Sequence, residues 1–224
     1  PSKPENLADL QNAMKQNALD LGLAFDGNGD RVGILDDKQN ILWADRQMML
    51  YAADVLKRKP GAQIIFDIKS TTNLATVIKQ LGGEPLMWKT GHSFIKAKMK
   101  ETGAELAGEM SGHIFFKERW FGFDDGLYSA ARMLEIVSQH DEASSAIFEK
   151  LPDSINTPNC RLTFLKVNTI NSWRNLSPSP VLKMQTSSLS MASASTMLTA
   201  GDWYAHPIPR PAWYCALKPM MKPR

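Results

Sequence analysis

Acidic side chains all but vanish from positions 165–224 of this 224-residue chain, where Asp202 stands alone. Cysteine is scarce throughout: Cys160 and Cys215 are the only two, they match no metal-ligand spacing, and they exclude a disulfide framework. No window approaches about 18 consecutive apolar residues, which excludes a transmembrane helix. The opening PSKPENLADLQ has no basic segment followed by an apolar stretch, so it does not read as a signal peptide, and it starts without Met, which reads as a fragment. A reducing cytoplasm is the expected compartment. The composition, 43% hydrophobic and 22% charged, is that of an ordinary globular protein.

The net charge of +3 averages two unlike pieces. Positions 165–224 hold seven Lys or Arg against one acid, which gives +6. Positions 1–164 hold the remaining 19 Lys or Arg and 22 acids, which gives −3. A basic tail can signal nucleic-acid or membrane-surface binding. The same tail also carries seven of the 13 prolines and a Ser/Thr-rich run, TSSLSMASAST, and holds no period of 2 or 3.6 for long. Such a segment lacks the patterned apolar surface that offsets chain entropy and is expected to be irregular.

Periodicity is clear before that point. Leu7, Leu10, Met14 and Ala18 fall at helical spacing within 5–19. Leu21 to Phe25 reads as a buried strand, and 32–36 with 41–44 as a hairpin. Residues 45–58 place Met48, Met49, Ala52 and Leu56 on one helical face, ended by Pro60-Gly61. Then strands at 63–68 and 84–88 alternate with helices at 71–81 and 93–102, followed by short strands at 105–107 and 113–116 and an amphipathic helix at 124–138. This alternation predicts an α/β layered domain, with boundaries near 42 and at 151–158.

Three short constellations offer chemistry. Asp26-Gly27-Asn28-Gly29-Asp30-Arg31 follows a strand. Alternating oxygen-bearing side chains on a Gly-rich loop can converge on a hard cation such as Mg²⁺, and Arg31 can add a bidentate phosphate contact. An EF-hand needs Gly where Arg31 stands, so that rival fails; a plain polar turn is the other reading. Lys89-Thr90-Gly91-His92-Ser93 sits at a strand-to-helix junction, where free amides and the helix dipole suit a phosphate, or where Thr or Ser merely caps. Gly108-Glu109-Met110-Ser111-Gly112-His113 puts a carboxylate and a hydroxyl between glycines, fit for vicinal sugar hydroxyls or for a hairpin turn. Lys69, after the strand QIIFDI, is a fourth candidate, or a solvated surface lysine.

Together and in this order, DGNGDR, KTGHSFIK and GEMSGHIFFKERWFGFDDG closely resemble the α-D-phosphohexomutases, above all the bacterial phosphomannomutase/phosphoglucomutase group, over Leu21 to about Pro158. GEMSGH is similar to the mannose- and glucose-phosphate enzymes, whereas glucosamine mutases typically carry GEQSGH. The resemblance implies a layered α/β fold with a mixed sheet and helices on both faces. It implies residues 1–42 as the C-terminal part of domain II with the metal loop, 43–150 as the sugar-binding domain III, and 151–164 as linker and start of domain IV. It implies an isomerase in which a phosphoserine exchanges its phosphoryl group with a hexose phosphate through a bisphosphosugar. Hexose phosphate and bisphosphate are then the partners, with no nucleic acid and no membrane. By position, Asp26, Asn28 and Asp30 would ligate Mg²⁺ and Arg31 would support the phosphoserine. Lys69 and His92 would act near the transferring phosphate, and Lys89, Gly91, Glu109, Ser111 and His113 would bind substrate.

Three departures bear on that reading. No phosphoserine segment of the SHNP type occurs in the 224 residues, Asn28 replaces an expected Asp, and no RxSNTxP-type phosphate clamp is present. Back-translating the end of the chain with legal codons, and starting each codon one nucleotide earlier, gives LVRPSNTTPCLVLRFEADDEAA, which contains that clamp. A nucleotide lost after Phe164 thus predicts 165–224 to be a frameshifted, poorly ordered tail. The polypeptide is then expected not to complete the mutase cycle. The competing readings are a non-catalytic phosphosugar-binding fragment and an interaction protein with a basic tail.

Overall fold

The computed structural model describes residues 3–154 and the backbone of 213–217. These fall in one compact unit, Pro1–Ile155 with Arg210–Arg224; the other, Asn156–Pro209, lies outside the described residues. So does most of the stretch expected to hold a domain IV start and an irregular tail.

A 3-10 turn at Pro4–Leu7 leads into α1 (Ala8–Asn17), which stops where Ala18 turns left-handed. The strands β1 (Leu21–Phe25), β2 (Val32–Asp36) and β3 (Ile41–Leu42) form an antiparallel meander. Alternation along the strands sorts its two faces. Leu7, Leu10 and Met14 of the N-terminal segment pack with Ala24 and Leu35, while Leu21, Leu23, Val32, Ile34 and Leu42 join a larger core.

That larger core is built with α2 (Ala44–Arg58), β4 (Gln63–Asp67), α3 (Thr72–Gln80) and β5 (Glu84–Trp88), followed by α4 (His92–Thr102), β6 (Leu106–Gly108), β7 (Ile114–Phe116) and α5 (Gly126–Ser138). The second sheet runs β5-β4-β6-β7, with β4 parallel to β5 and β6 and with β7 antiparallel at one edge. Ile64, Phe66, Leu106, Ile114 and Phe116 pack with α2, α3 and α5. Their neighbours Ile65, Ala107 and Phe115 face Ile95 and Met99 of α4. Helices therefore cover both faces of a mixed sheet, as expected.

Two elements depart from expectation. A short helix α6 (Ser144–Glu149) buries Ile147 and Phe148 where no element was foreseen. Strand β8 (Trp213–Leu217) pairs antiparallel with β1, from Phe25 opposite Trp213 to Leu21 opposite Leu217. Only these five residues of the stretch expected to be irregular are described, and there the expectation misses a strand: Trp213 and Tyr214 are strand-favouring residue types, and β1 otherwise presents an unpaired edge. Among the described residues, no helix is long and apolar enough to cross a membrane.

Candidate functional site

Parallel strands β4, β5 and β6 all end at one rim, and the loops that follow them bring the predicted residues together. Crevices at the carboxyl ends of parallel strands are where open α/β sheets bind ligands.

The Asp26–Arg31 loop closes the β1–β2 hairpin. Asp26 Oδ2 meets Arg31 Nε at 2.5 Å, and Asp26 Oδ1 accepts from the Arg31 amide at 3.2 Å. Gly29 holds φ +75, a left-handed turn that suits glycine. Asn28 Nδ2 donates to Asp30 Oδ2 at 2.6 Å. Burial works against the charge on Asp26, but its hydrogen bonds with Asp30 and Arg31 prevail and hold its carboxyl below the usual range. Asp30 is pushed the other way, first by burial and then by Asp26's hydrogen bond and charge. The residues fit a cation: Asp30 Oδ1 is a buried oxygen with no hydrogen-bond partner, and the neighbouring groups are hard oxygen donors. Asn28 and Asp26 would complete the set, with the Asn28 amide turning to offer its oxygen.

The sugar-type loop is a hairpin turn and more. The Glu109 amide donates to His113 O, and the Gly112 amide to Glu109 O, both at 2.9 Å. Glu109 is 2% exposed. Its Oε1 accepts from the Gly91 amide at 2.5 Å, and its Oε2 lies 3.3 Å from His113 Nδ1. Burial alone would raise the Glu109 carboxyl; the His113 and Gly91 hydrogen bonds lower it on balance. Ser111 Oγ lies 3.1 Å from the same His113 nitrogen.

His113 is the hub. It forms a backbone bridge with Arg31, its Nε2 lies 3.6 Å from Asp30 Oδ2, and its ring centre is 5.6 Å from that of His92. The two loops, far apart in sequence, thus share one site. α5 fixes the arrangement, because the Gly126 amide donates to Gly29 O at 2.9 Å. Gly91, with φ +134, opens α4 and places His92 in its first turn. Lys89 Nζ sits 3.9 Å over the Phe94 ring. Lys69 is exposed on the loop after β4, on the same rim.

Sequence reasoning missed Asp124, Lys96 and Asp67. Asp124 Oδ1 takes Lys96 Nζ at 2.9 Å and Oδ2 faces His92 Nδ1 at 4.0 Å. Burial opposes its charge, yet Lys96 and the backbone keep its carboxyl low. One ligand atom each from Asp30, His113 and Asp124 lie within 4.8 Å of one another, a carboxylate–imidazole set that draws on residues outside the hairpin loop. The available signal was FDDG: Asp125 caps α5 by accepting from the Tyr128 amide at 2.9 Å, leaving Asp124 to face the site.

Fold and site define an α/β/α protein with a carboxylate loop and a carboxylate–hydroxyl turn meeting at the ends of parallel strands. The comparisons make this specific. Residues 43–155 match the model for phosphoglucomutase/phosphomannomutase alpha/beta/alpha domain III, and residues 1–39 that for domain II. The chain belongs to the phosphoglucomutase/phosphomannomutase family. It is 60% identical over 163 residues to a phosphomannomutase/phosphoglucomutase of Pseudomonas aeruginosa, covering 73% of this chain and 35% of that protein. A phosphoglucomutase of Neisseria gonorrhoeae matches equally, 60% over 163 residues with the same coverage, 73% and 35%. A crystal structure of a family member from Burkholderia thailandensis superposes with TM-score 0.69 at 56% identity, over 70% of this chain and 34% of that one. The chain therefore spans about a third of the length of the relatives it matches.

Proposed function

We propose that this chain carries the metal loop and sugar loop of a cytoplasmic phosphohexomutase, an isomerase that interconverts hexose 6-phosphate and hexose 1-phosphate through a bisphosphosugar. The observation that carries the reading is the junction at His113, where Asp30 and Arg31 of one loop meet Glu109 and Ser111 of the other. Phosphoryl transfer relies on positioning and charge neutralisation more than on covalent chemistry from protein groups, and this junction supplies both.

In this reading Ser111 and Glu109 hold vicinal hydroxyls of the sugar, with Glu109 kept ionised by its partners. Lys89 and the α4 N-terminus at Gly91–His92 draw the phosphate, Lys69 adds an exposed positive charge, and Arg31 orients a phosphoryl oxygen. Mg²⁺ held by Asp26, Asn28 and Asp30 would supply further charge neutralisation. Turnover would further require a phosphoserine and a phosphate clamp, and the 224 residues hold neither an SHNP-type nor an RxSNTxP-type segment.

The test is a calorimetric titration with glucose 1-phosphate and mannose 1-phosphate, beside a coupled mutase assay. The reading expects saturable binding, weakened by Ser111→Ala, and no turnover. No binding of either sugar phosphate, or binding indifferent to Ser111, would refute it.

A further inference from the structure

We propose that Asp67 is the positioning residue of this site, a single buried carboxylate that sets the mutual register of the three loops bearing the substrate-facing groups. The proposal rests on the functional reading above for the identity of the ligand.

Asp67 ends β4 and is 0% exposed. Its Oδ1 accepts from Ser70 Oγ at 2.7 Å and from the Met110 amide at 3.2 Å. Its Oδ2 accepts from Thr90 Oγ1 at 3.0 Å. The donors come from the loops after β4, β5 and β6, one from each. Every donor also sits beside a candidate ligand-binding residue: Ser70 follows Lys69, Thr90 lies between Lys89 and Gly91, and Met110 lies between Glu109 and Ser111.

The residue type follows from the task. A buried carboxylate is costly unless its oxygens are met by donors, so it persists where several donors must be gathered at one point. Two oxygens with about four acceptor positions can serve three loops at once. An Asn keeps one acceptor oxygen and presents an amide toward Thr90, whose hydroxyl can rotate to accept. A side chain without oxygens gives up all three of these hydrogen bonds.

A second tie, from the Gly91 amide to Glu109, joins only the loops after β5 and β6. Asp67 is the side chain that ties the loop with Lys69 to both of the others; apart from it, the Ile68 amide donates to Trp88 O at 3.1 Å and the Thr71 amide to Asp45 Oδ2 at 3.0 Å. Removing it is expected to free Lys69 most, while the Glu109 tie retains the other two loops in part. Ligand groups held loosely by their supporting residues lose affinity even when all are present.

The experiment uses the 224-residue chain, ¹⁵N-labelled, as wild type, Asp67→Asn, Asp67→Ala, Ser70→Ala and Thr90→Val. Each is titrated with glucose 1-phosphate at a temperature where thermal unfolding shows the variant fully folded. Asp67→Ala is expected to weaken binding about tenfold and to shift the Lys69, Gly91 and Met110 amide signals together; Asp67→Asn recovers affinity to within about threefold of wild type, and Ser70→Ala and Thr90→Val fall between. Folded Asp67→Ala that binds like wild type would overturn the proposal, because a role in stability alone lowers the melting temperature without changing affinity. Should Asp67→Ala fail to fold, unchanged affinity in both Ser70→Ala and Thr90→Val overturns it equally. If the wild-type chain binds no glucose 1-phosphate, the functional reading fails, and the three amide signals still decide the role of Asp67: a joint shift supports it, and a shift confined to the loop after β4 contradicts it.

Discussion

Glu109 Oε1 accepts a hydrogen bond from the Gly91 amide at 2.5 Å, across 18 residues of chain and between two loops of the site. The contact makes the carboxylate both a support and a ligand-facing group. Truncation leaves the Gly91 amide without its acceptor and His113 with only Ser111 and Asp30 beside its ring nitrogens. Glu109→Ala is expected to cost about 2–4 kcal/mol in urea unfolding, and Glu109→Gln roughly half as much. An Ala variant as stable as wild type would contradict the contact.

Arg132 is 2% exposed, bound to Asp54 at 2.6 Å and Glu118 at 2.9 Å, and its guanidinium lies 4.6 Å from the Phe116 ring centre. Arg58 reaches the same two acids. Burial would raise both carboxyls; hydrogen bonds and charge from Arg58 and Arg132 lower them on balance. A carboxyl depressed in the folded state contributes stability above its unfolded value, here near 3.8 for Asp54 and 4.5 for Glu118. That contribution drains away as pH falls through the lower folded values. Arg132→Ala is expected to lose about 3 kcal/mol at neutral pH, with the gap to wild type narrowing below about pH 4. Thermal melts across pH check this; a gap that widens in acid would contradict it.

The sequence exposed the fold more fully than the site. β4 was legible because QIIFD is a short apolar run, and α5 because its apolar positions repeat at helical spacing between capping Asp125 and Ser138. α6 escaped notice because six residues are too few to establish a period, and β8 because its pairing with β1 spans nearly the whole chain. The loops Asp26–Arg31, Lys89–Ser93 and Gly108–His113 stood out by composition and by family resemblance. What holds them did not. Asp67 reads as the polar end of a strand, and its three donors lie 3, 23 and 43 residues away. Only the parallel order of β4, β5 and β6 brings them to one carboxylate.

Gly126 touches the hairpin loop so closely that a Cβ there would lie 2.8 Å from Arg31 C and O and from Gly29 O. Those neighbours are backbone and cannot swing aside. Gly126→Ala is expected to cost about 1–3 kcal/mol and to shift the Gly29 and Arg31 amide signals. Unchanged stability with unchanged signals would show that the loop yields freely.

Asn28 donates to Asp30 where the family pattern has a third carboxylate. Asn28→Asp adds one negative charge and removes that donor. It is expected to tighten Mn²⁺ binding roughly tenfold, read by electron paramagnetic resonance of the free ion. Weaker binding in the variant would remove this loop from the cation site.

The most direct test of the account is an NMR titration of the ¹⁵N-labelled chain with glucose 1-phosphate, mapped residue by residue. The account predicts that the shifts gather at Lys69, Lys89–Ser93, Glu109–His113 and the Asp26–Arg31 loop, where the structure brings these segments to one rim. Shifts scattered over the surface, or confined to a face remote from His113, would contradict it.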